Sequence, residues 1–340
     1  GGKWSMDIQQ ATTVVYNSDW LDRLKNAIHL NAMDYLLLHC DYGHFIGRAV
    51  NNFIDENGLW HKVDMIASHG HTTFHMPLRQ MTGQLGDGAA IAAETGLPVI
   101  SDLRALDIAF GGQGAPIVPI GEKLLLAEYE FLLNLGGIAN LSFRHNGHYY
   151  AYDVCPANRV LNMLVQPLKL NMDADGALAA GGRSFAPLLQ RLEALDYYGL
   201  PYPKSLSNDF GTDVVYPLVK SAGLPVPDAL RTFVDHIALQ IRKEIGMLGE
   251  KEKLPVRGQR LLVTGGGALN SFLVQRIAEE LAEIGVTLVV PEKKLIEYKE
   301  AVVMALIGVL RWREEYNVLH TVTGASRDSI GGALWLGTEA

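Results

Sequence analysis

The stretch Leu261-Leu262-Val263-Thr264-Gly265-Gly266-Gly267-Ala268-Leu269-Asn270 decides the fold class. Its aliphatic start reads as a buried strand, and its glycines as the tight turn that ends it. An amphipathic stretch over 271–284 follows, then a second apolar run over 286–290. Strand, glycine-rich turn, helix and strand in that order make a β-loop-α-β unit, the building block of α/β proteins. Asn134-Leu135-Gly136-Gly137-Ile138-Ala139-Asn140 repeats the sequence of strand, glycines and polar residue elsewhere in the chain. In both loops, bare backbone N–H groups lie where an anion or a nucleotide can approach, because glycine has no Cβ and tolerates positive φ. The loop at 265–267 also opens a helix, whose N-terminus favours negative charge. A tight β-turn or a helix cap accounts for either loop equally well. Neither fits a dinucleotide fingerprint and no G-x-x-x-x-G-K-[ST] occurs, so Rossmann dehydrogenases and P-loop enzymes are disfavoured.

Outward from these loops, short apolar runs bounded by glycine or proline predict strands over 63–67, 97–100, 131–135, 138–143 and 149–154. The segment 4–16 mixes polar and β-favouring residues and reads as an exposed strand. Helical spacing predicts helices over 19–30, 42–57, 228–248 and 299–316. In 42–57, Phe45, Ile46, Ala49, Val50, Phe53 and Ile54 share a face, and Asn57-Gly58 supplies a C-terminal cap. In 228–248, Leu230, Phe233, Val234, Ile237, Ile241, Ile245 and Leu248 form one apolar stripe, the mark of a structural helix. Pro225 and Pro227, or the loop over 253–258, offer mobile connections, although neither is composed like an interdomain linker.

Composition narrows the function classes. At roughly 100–200 residues per domain, 340 residues predict two domains. Lys and Arg number 29 against 37 Asp and Glu, a net charge of −8, and the short basic clusters at 242–244 and 250–253 are interleaved with acids. No basic stripe exists to neutralise phosphates, which argues against nucleic acid as a partner. Hydrophobic residues at 48% against 19% charged provide a sizeable core and exclude disorder. The two cysteines, Cys40 and Cys155, belong to no C-x-x-C pair, which points to a reducing compartment. The longest apolar run, 301–310, falls short of the roughly 18–20 residues of a membrane span, and no basic-then-apolar signal opens the chain. A cytoplasmic protein with no membrane contact is the expectation.

Polar groups gather in one region: Ser68-His69-Gly70-His71-Thr72-Thr73-Phe74-His75, then Gly86-Asp87-Gly88, then Ser101-Asp102-Leu103-Arg104, then Asp107 and Gly111-Gly112-Gln113-Gly114. Three histidines within seven residues hint at metal, but His69 and His71 sit two apart with no fixed acidic partner, so hydrogen bonding to a polyhydroxylated ligand suits the cluster better. Arg104 beside Asp102 reads equally as a structural ion pair. Asp153 follows an apolar run and precedes Val154-Cys155-Pro156-Ala157-Asn158. At a strand end it serves either as a general base or as a cap of the following turn.

The series SHGHTTFH (68–75), QLGDGAAIAAETGLPVISDLR (84–104), DIAFGGQGAP (107–116), NLGGIANLSF (134–143), YDVCPAN (152–158), TGGGALN (264–270), KEA (299–301) and VTGA (322–325) resembles, in that order, the anhydro-N-acetylmuramic acid kinases of bacterial peptidoglycan recycling. The resemblance spans about 4–332. It implies an α/β, two-lobed actin-like (ribonuclease H-like) ATPase fold with a central cleft. A first lobe would comprise 1–126 plus about 317–340, and a second 127–316. It implies ATP and Mg²⁺ as cofactors, an amino sugar as substrate and, on resemblance alone, a homodimer. The implied reaction adds water across the 1,6-anhydro bond while the γ-phosphoryl group passes to O6, giving N-acetylmuramic acid 6-phosphate. Asp153 matches the family aspartate that activates the water. Gly136 and Gly137 match its second phosphate loop, and Gly265, Gly266 and Gly267 the loop beside the nucleotide. His71, Arg104 and Gln113 fall in segments that match the sugar side of the cleft. The resemblance fixes no metal ligand.

Three departures accompany the match. His71 stands where many members carry Gln, and Val154-Cys155 replaces Thr-Gly beside the base, which predicts an altered shape there with hydrogen-bonding capacity retained. The family also opens with a strand and a Gly-Thr-Ser-x-Asp-Gly turn, its first phosphate loop, and that motif occurs nowhere in this sequence. The expectation is a natural N-terminus longer by about two dozen residues, the length of two strands with their turns. The rival reading is a catalytically impaired relative that binds sugar or regulates.

Overall fold

The computed structural model describes residues 3–207 and 209–337. Contacts divide the chain into two compact units, one running up to Leu125 and resuming at Glu300, the other Leu126–Lys299. The second crossing lies inside the helix Lys293–Trp312, earlier than the position near 316 drawn from sequence. The reason is packing: Val303 lies against Gly121 and Gly308 against Ala67, so the C-terminal part of that helix packs with the first unit.

In the first unit, β1 (Ile66–Ala67) pairs in parallel with a later strand, while β2 (His71–Met76) and β3 (Met81–Leu85) form an antiparallel hairpin. The partner of β1 is β4 (Val99–Ser101), fully buried along its length. The first strand of the hairpin takes up most of the polar stretch 68–75. The helix Ala32–Asn57 begins ten residues before the predicted start, with the Asn31 side chain accepting the Asp34 N–H at 3.0 Å. Met33, Leu36 and Leu37 in its first turns are exposed, so no apolar face marked them as helical. Its far end is as read: Gly58 closes it in the left-handed conformation at φ 59°. A Cβ on Gly43 would stand 2.6 Å from the Asp87 carbonyl oxygen, so glycine allows this helix to touch the start of the helix Gly88–Thr95. Residues 4–16 form no strand; Tyr16 is held instead by a 2.6 Å hydrogen bond to the Tyr42 hydroxyl and by the ring of Phe45.

The second unit is built on five strands, β5 (Phe131–Leu135), β6 (Ile138–His145), β7 (His148–Pro156), β8 (Arg260–Thr264) and β9 (Thr287–Val289). Their order is β7-β6-β5-β8-β9. The first three form an antiparallel meander, and β8 and β9 join β5 in parallel. A meander extended by parallel strands is the ribonuclease H-like core of actin-type ATPases, so the fold class is α/β and actin-like. The β8-turn-helix-β9 unit lies where the sequence placed it, with the helix at Ser271–Glu283. The long helix Val226–Lys251 fills the core: Leu230, Phe233, Val234, Ile237, Ile241 and Ile245 are fully buried. Each such side chain contributes about 1.5–3 kcal/mol through burial. The same helix buries Asp235, His236, Gln240 and Glu244, and these need partners in a medium that cannot hydrate them. The last strand, β10 (Ala333–Trp335), returns to the first unit and pairs antiparallel with β4.

Candidate active site

The β6–β7 register slips once. Asn140 faces Asp153 while Ala139 faces Cys155, so Val154 is an extra residue and forms a β-bulge. Asp153 therefore sits inside β7 rather than beyond its end, because pairing resumes through Pro156 opposite Ile138. The bulge sends Val154 and Cys155 into the core, both fully buried, and leaves Asp153 half-buried among polar groups. The Val154-Cys155 departure is thus a core substitution; burial pushes the Cys155 thiol up, so it stays protonated.

Three donors hold the Asp153 carboxylate. The Leu206 N–H (2.9 Å) and the Ser205 hydroxyl (3.2 Å) donate to Oδ2, and the Asn140 amide donates to Oδ1 (3.1 Å). Its backbone is fixed as well: its N–H donates to the Lys204 carbonyl at 3.0 Å, and its carbonyl accepts from the Tyr197 hydroxyl at 2.6 Å. Burial first, then the negative field of Asp153, pushes the Tyr197 phenol up, which keeps it a donor. The cap reading fails on this geometry. The helix that follows, Asn158–Val165, begins at Ala157 with no side-chain cap, and the Asp153 oxygens point elsewhere.

The two glycine loops adjoin one another at the same end of the sheet. Asn134 of β5 and Thr264 of β8 are register partners, so the turns that follow them, 136–137 and 265–267, are neighbours. The first is pinned by the Gly136 and Gly137 carbonyls, which accept from Asn158 N–H (3.1 Å) and Ala157 N–H (2.8 Å). Asn158 also donates its side-chain amide to the Leu135 carbonyl at 3.0 Å. The glycines differ in what demands them. Gly265 has φ 80° and ψ 169°, a region that side chains avoid, and a Cβ there would stand 2.8 Å from the Leu135 carbonyl oxygen. A Cβ on Gly267 would meet that of Leu135 at 2.7 Å. At Gly136, Gly137 and Gly266 a Cβ would find nothing nearer than 3.5, 3.7 and 3.9 Å. Packing therefore requires two of the five; at the other three a Cβ would make only ordinary contacts, so their bare backbone suits a phosphate cradle.

One local expectation is corrected. A 3₁₀ turn, Gly266–Leu269, separates the loop from the helix Ser271–Glu283, and the Asn270 side chain caps that helix by accepting the Leu273 N–H at 3.0 Å. The helix N-terminus thus already has a partner. Lys299, buried at the end of this unit, donates to the Thr264 hydroxyl at 2.8 Å beside the same loop.

In the first unit, Arg104 donates from Nε to His69 Nε2 at 3.0 Å, and His69 Nδ1 meets the Gly70 carbonyl at 3.1 Å. Burial first, then the Arg104 charge, lowers the His69 pKa, so its ring is neutral and Nε2 accepts. Asp102 takes the Ser101 hydroxyl at 2.7 Å, so Arg104 finds its partner in His69 rather than in Asp102. His71 lies in β2 opposite Leu85, edge-on to the Tyr42 ring, with its pKa lowered by burial. Gln113 is fixed through its backbone N–H on the Thr323 carbonyl at 2.8 Å. Beside it, the fully buried Asp107 accepts from the Gly114 N–H (2.8 Å) and the Thr323 hydroxyl (2.7 Å). The Gly111–Gly114 loop is thereby set against Arg104. Asp153 and the five loop glycines come together in the second unit, whereas His71, Arg104 and Gln113 belong to the first.

Sequence reading gave no role to Asn140, Asn158, Ser205, Leu206 or Lys299. Asn140, Asn158 and Lys299 lay in the motifs 134–143, 152–158 and 299–301, whereas Ser205 and Leu206 lay in none. Among the described residues, no three His, Cys, Asp or Glu side chains group as a metal site.

Residues 22–337 match the family model described as anhydro-N-acetylmuramic acid kinase. Relatives bearing that name include those of Vibrio parahaemolyticus, 32% identical over 86% of this chain and 80% of theirs, and Shewanella amazonensis, 34% identical over 86% and 80%. That of Synechococcus elongatus is 31% identical over 96% of this chain and 90% of its own. Among solved structures, a xylulose kinase from Rhodospirillum rubrum aligns with TM-score 0.34 and 18% identity over 62% of this chain and 43% of that one. The family model and the relatives agree, and the chain belongs to the anhydro-N-acetylmuramic acid kinase family.

Proposed function

We propose that the protein is an ATP-dependent kinase that opens 1,6-anhydro-N-acetylmuramic acid with water and phosphorylates O6, in peptidoglycan recycling in the cytoplasm. Asp153 takes a proton from water as its oxygen bonds to C1. The C1–O6 bond breaks, O6 bonds to the γ-phosphorus, and ADP leaves. The products are N-acetylmuramic acid 6-phosphate and ADP. The observation that carries this reading is the Asp153 carboxylate, held by three donors at the sheet end that also bears both glycine loops. A general base must be fixed before it can be matched to its proton, and this one is.

ATP phosphates fit the open backbone at Gly136, Gly137 and Gly266, with Gly265 and Gly267 giving the second loop its shape. Bound there, Mg²⁺ would offset the phosphate charge. It needs only one or two carboxylates besides phosphate and water, so a three-residue cluster is not required. His71, Arg104 and Gln113 provide donors and acceptors suited to a sugar. The non-catalytic rival is not favoured, since the family is one of kinases and its base is present with its partners. Among the described residues no helix is long and apolar enough to cross a membrane. The direct test incubates the protein with ATP, Mg²⁺ and the anhydro-sugar and seeks the 6-phosphate by mass spectrometry. Absence of both product and ADP would exclude the reaction.

A further inference from the structure

Lys204 and Glu244 form an ion pair at 2.5 Å with both side chains only 3% exposed. Glu244 comes from the core helix Val226–Lys251; Lys204 comes from a segment, 201–207, that has no regular secondary structure. Each member of the pair has a second contact. The Tyr152 hydroxyl donates to the second Glu244 oxygen at 3.0 Å, and the Lys204 ammonium lies 5.0 Å from the centre of the Tyr197 ring. Burial first, then Glu244, pushes the Tyr152 phenol up, so it remains the donor.

Taking two charges out of water costs several kcal/mol each, and replacing such a pair by well-packed apolar side chains of similar volume is often harmless to stability. Stability is therefore a weak reason for this pair, and its position supplies a better one. Lys204 immediately precedes Ser205 and Leu206, which donate two of the three hydrogen bonds on Asp153, and the Lys204 carbonyl accepts the Asp153 N–H. Tyr152 and Tyr197, which contact the pair, respectively precede Asp153 in β7 and bind its carbonyl. A segment without ladder hydrogen bonds has little else to fix where its N–H groups point.

We propose that Lys204 is a positioning residue: its buried pair with Glu244 fixes the Ser205–Leu206 donors that aim the Asp153 carboxylate. The inference rests on the reading of Asp153 as the base.

The test uses the full chain in three forms: parent, Asp153→Asn, and Lys204→Met with Glu244→Gln. Lys204→Met alone strands the Glu244 carboxylate in the core and loses folding for that reason, so the paired change is the informative one. Turnover is read by ADP release with the anhydro-sugar, stability by thermal unfolding, and loop order by amide exchange at Leu206. A small misplacement of a reacting group costs up to about 100-fold. The paired variant is expected to melt near the parent, to lose about 10- to 100-fold in kcat with KM little changed, and to exchange the Leu206 amide at least about tenfold faster. Parental kcat and parental Leu206 protection in a folded paired variant would overturn the inference. So would a kcat loss that only follows a loss of folded protein at the assay temperature. Parental turnover by Asp153→Asn sinks the base assignment instead, and Leu206 exchange in the paired variant then still decides whether Lys204 holds the loop.

Discussion

Asp153→Asn separates chemistry from structure because the side chain keeps its size while losing its charge. The carboxylate accepts from Leu206 N–H at 2.9 Å, Ser205 Oγ at 3.2 Å and Asn140 Nδ2 at 3.1 Å. A carboxamide can turn its oxygen to Leu206 and Ser205, and its NH₂ then faces Asn140, whose amide must rotate to present oxygen. Hydrogen bonds to a charged group contribute roughly 1.5–3 kcal/mol and neutral ones about 0.5–1.5, so three weakened bonds cost about 3–4.5 kcal/mol. At about 2–4 °C per kcal/mol for a unit of this size, the melting point should fall by about 6–18 °C. Loss of a positioned general base removes about 10²–10⁴ in rate, so kcat should fall by that factor while calorimetric affinity for the anhydro-sugar changes little. Turnover is measured by ADP release at saturating ATP, well below the variant's melting point. A variant that melts lower yet turns over at the parental rate would refute the assignment, since the residue would then be structural only.

Gly265→Ala and Gly266→Ala should part company. The first adds strain at φ 80° and a 2.8 Å contact with a carbonyl oxygen, for roughly 2–4 kcal/mol of lost stability by thermal denaturation. The second places its Cβ at an ordinary 3.9 Å from the nearest atom, so it should melt like the parent and bind ATP more weakly by calorimetry. Asp107→Ala leaves the Gly114 N–H buried without an acceptor and the Thr323 hydroxyl with only its 3.4 Å bond to the Leu319 carbonyl, which should cost about 1–3 kcal/mol; an unchanged melting curve would count against that account. Acid sensitivity should come from the second unit, where neutral His236 bridges Glu193 and the Tyr198 hydroxyl. Burial would raise the Glu193 pKa, but hydrogen bonds from His236 and Lys243 outweigh it and hold it at about 2 against 4.5; burial lowers that of fully buried His236 below 6.5. In both cases the unfolded chain binds the proton more readily, so stability is present at neutral pH and is lost on acidification. Melting points should begin to fall below about pH 6.5 and drop more steeply between about 4.5 and 2, where Glu193 is linked to roughly 3 kcal/mol. Glu193→Gln should flatten the steeper part.

The sequence by itself determined the elements whose burial is one-sided or complete. Strand β5 occupies the predicted 131–135 because a wholly buried strand is a short apolar run cut off by polar or glycine residues at both ends. The β8-turn-helix-β9 unit and the core helix were legible for the same reason, and the ordered motifs named the family. Where hydrophobicity was silent the reading failed. The β2–β3 hairpin mixes Phe74, Met76, Met81 and Leu85 with His, Thr, Gln and Gly, and its first strand read only as a polar cluster, yet ladder hydrogen bonds between partner strands do not require apolar side chains. The helix drawn over 299–316 runs Lys293–Trp312, because the chain turns at Glu314 with φ 55° to bring Asn317 into the core.

Tertiary structure alone decided the surroundings of Asp153. A single slip in the β6–β7 register chose which of 153, 154 and 155 faces outward, and side-chain periodicity cannot locate such a slip in advance. Two of the three donors on its carboxylate come from more than fifty residues further along the chain, and the pair proposed to fix them joins Lys204 to Glu244 forty residues beyond. Local pattern carries no record of contacts at that separation, since each is formed only when the core helix and the sheet bury their apolar faces together. The same holds for the glycines: their spacing announced two loops, and only packing distinguished those where a Cβ would clash from those where it would fit.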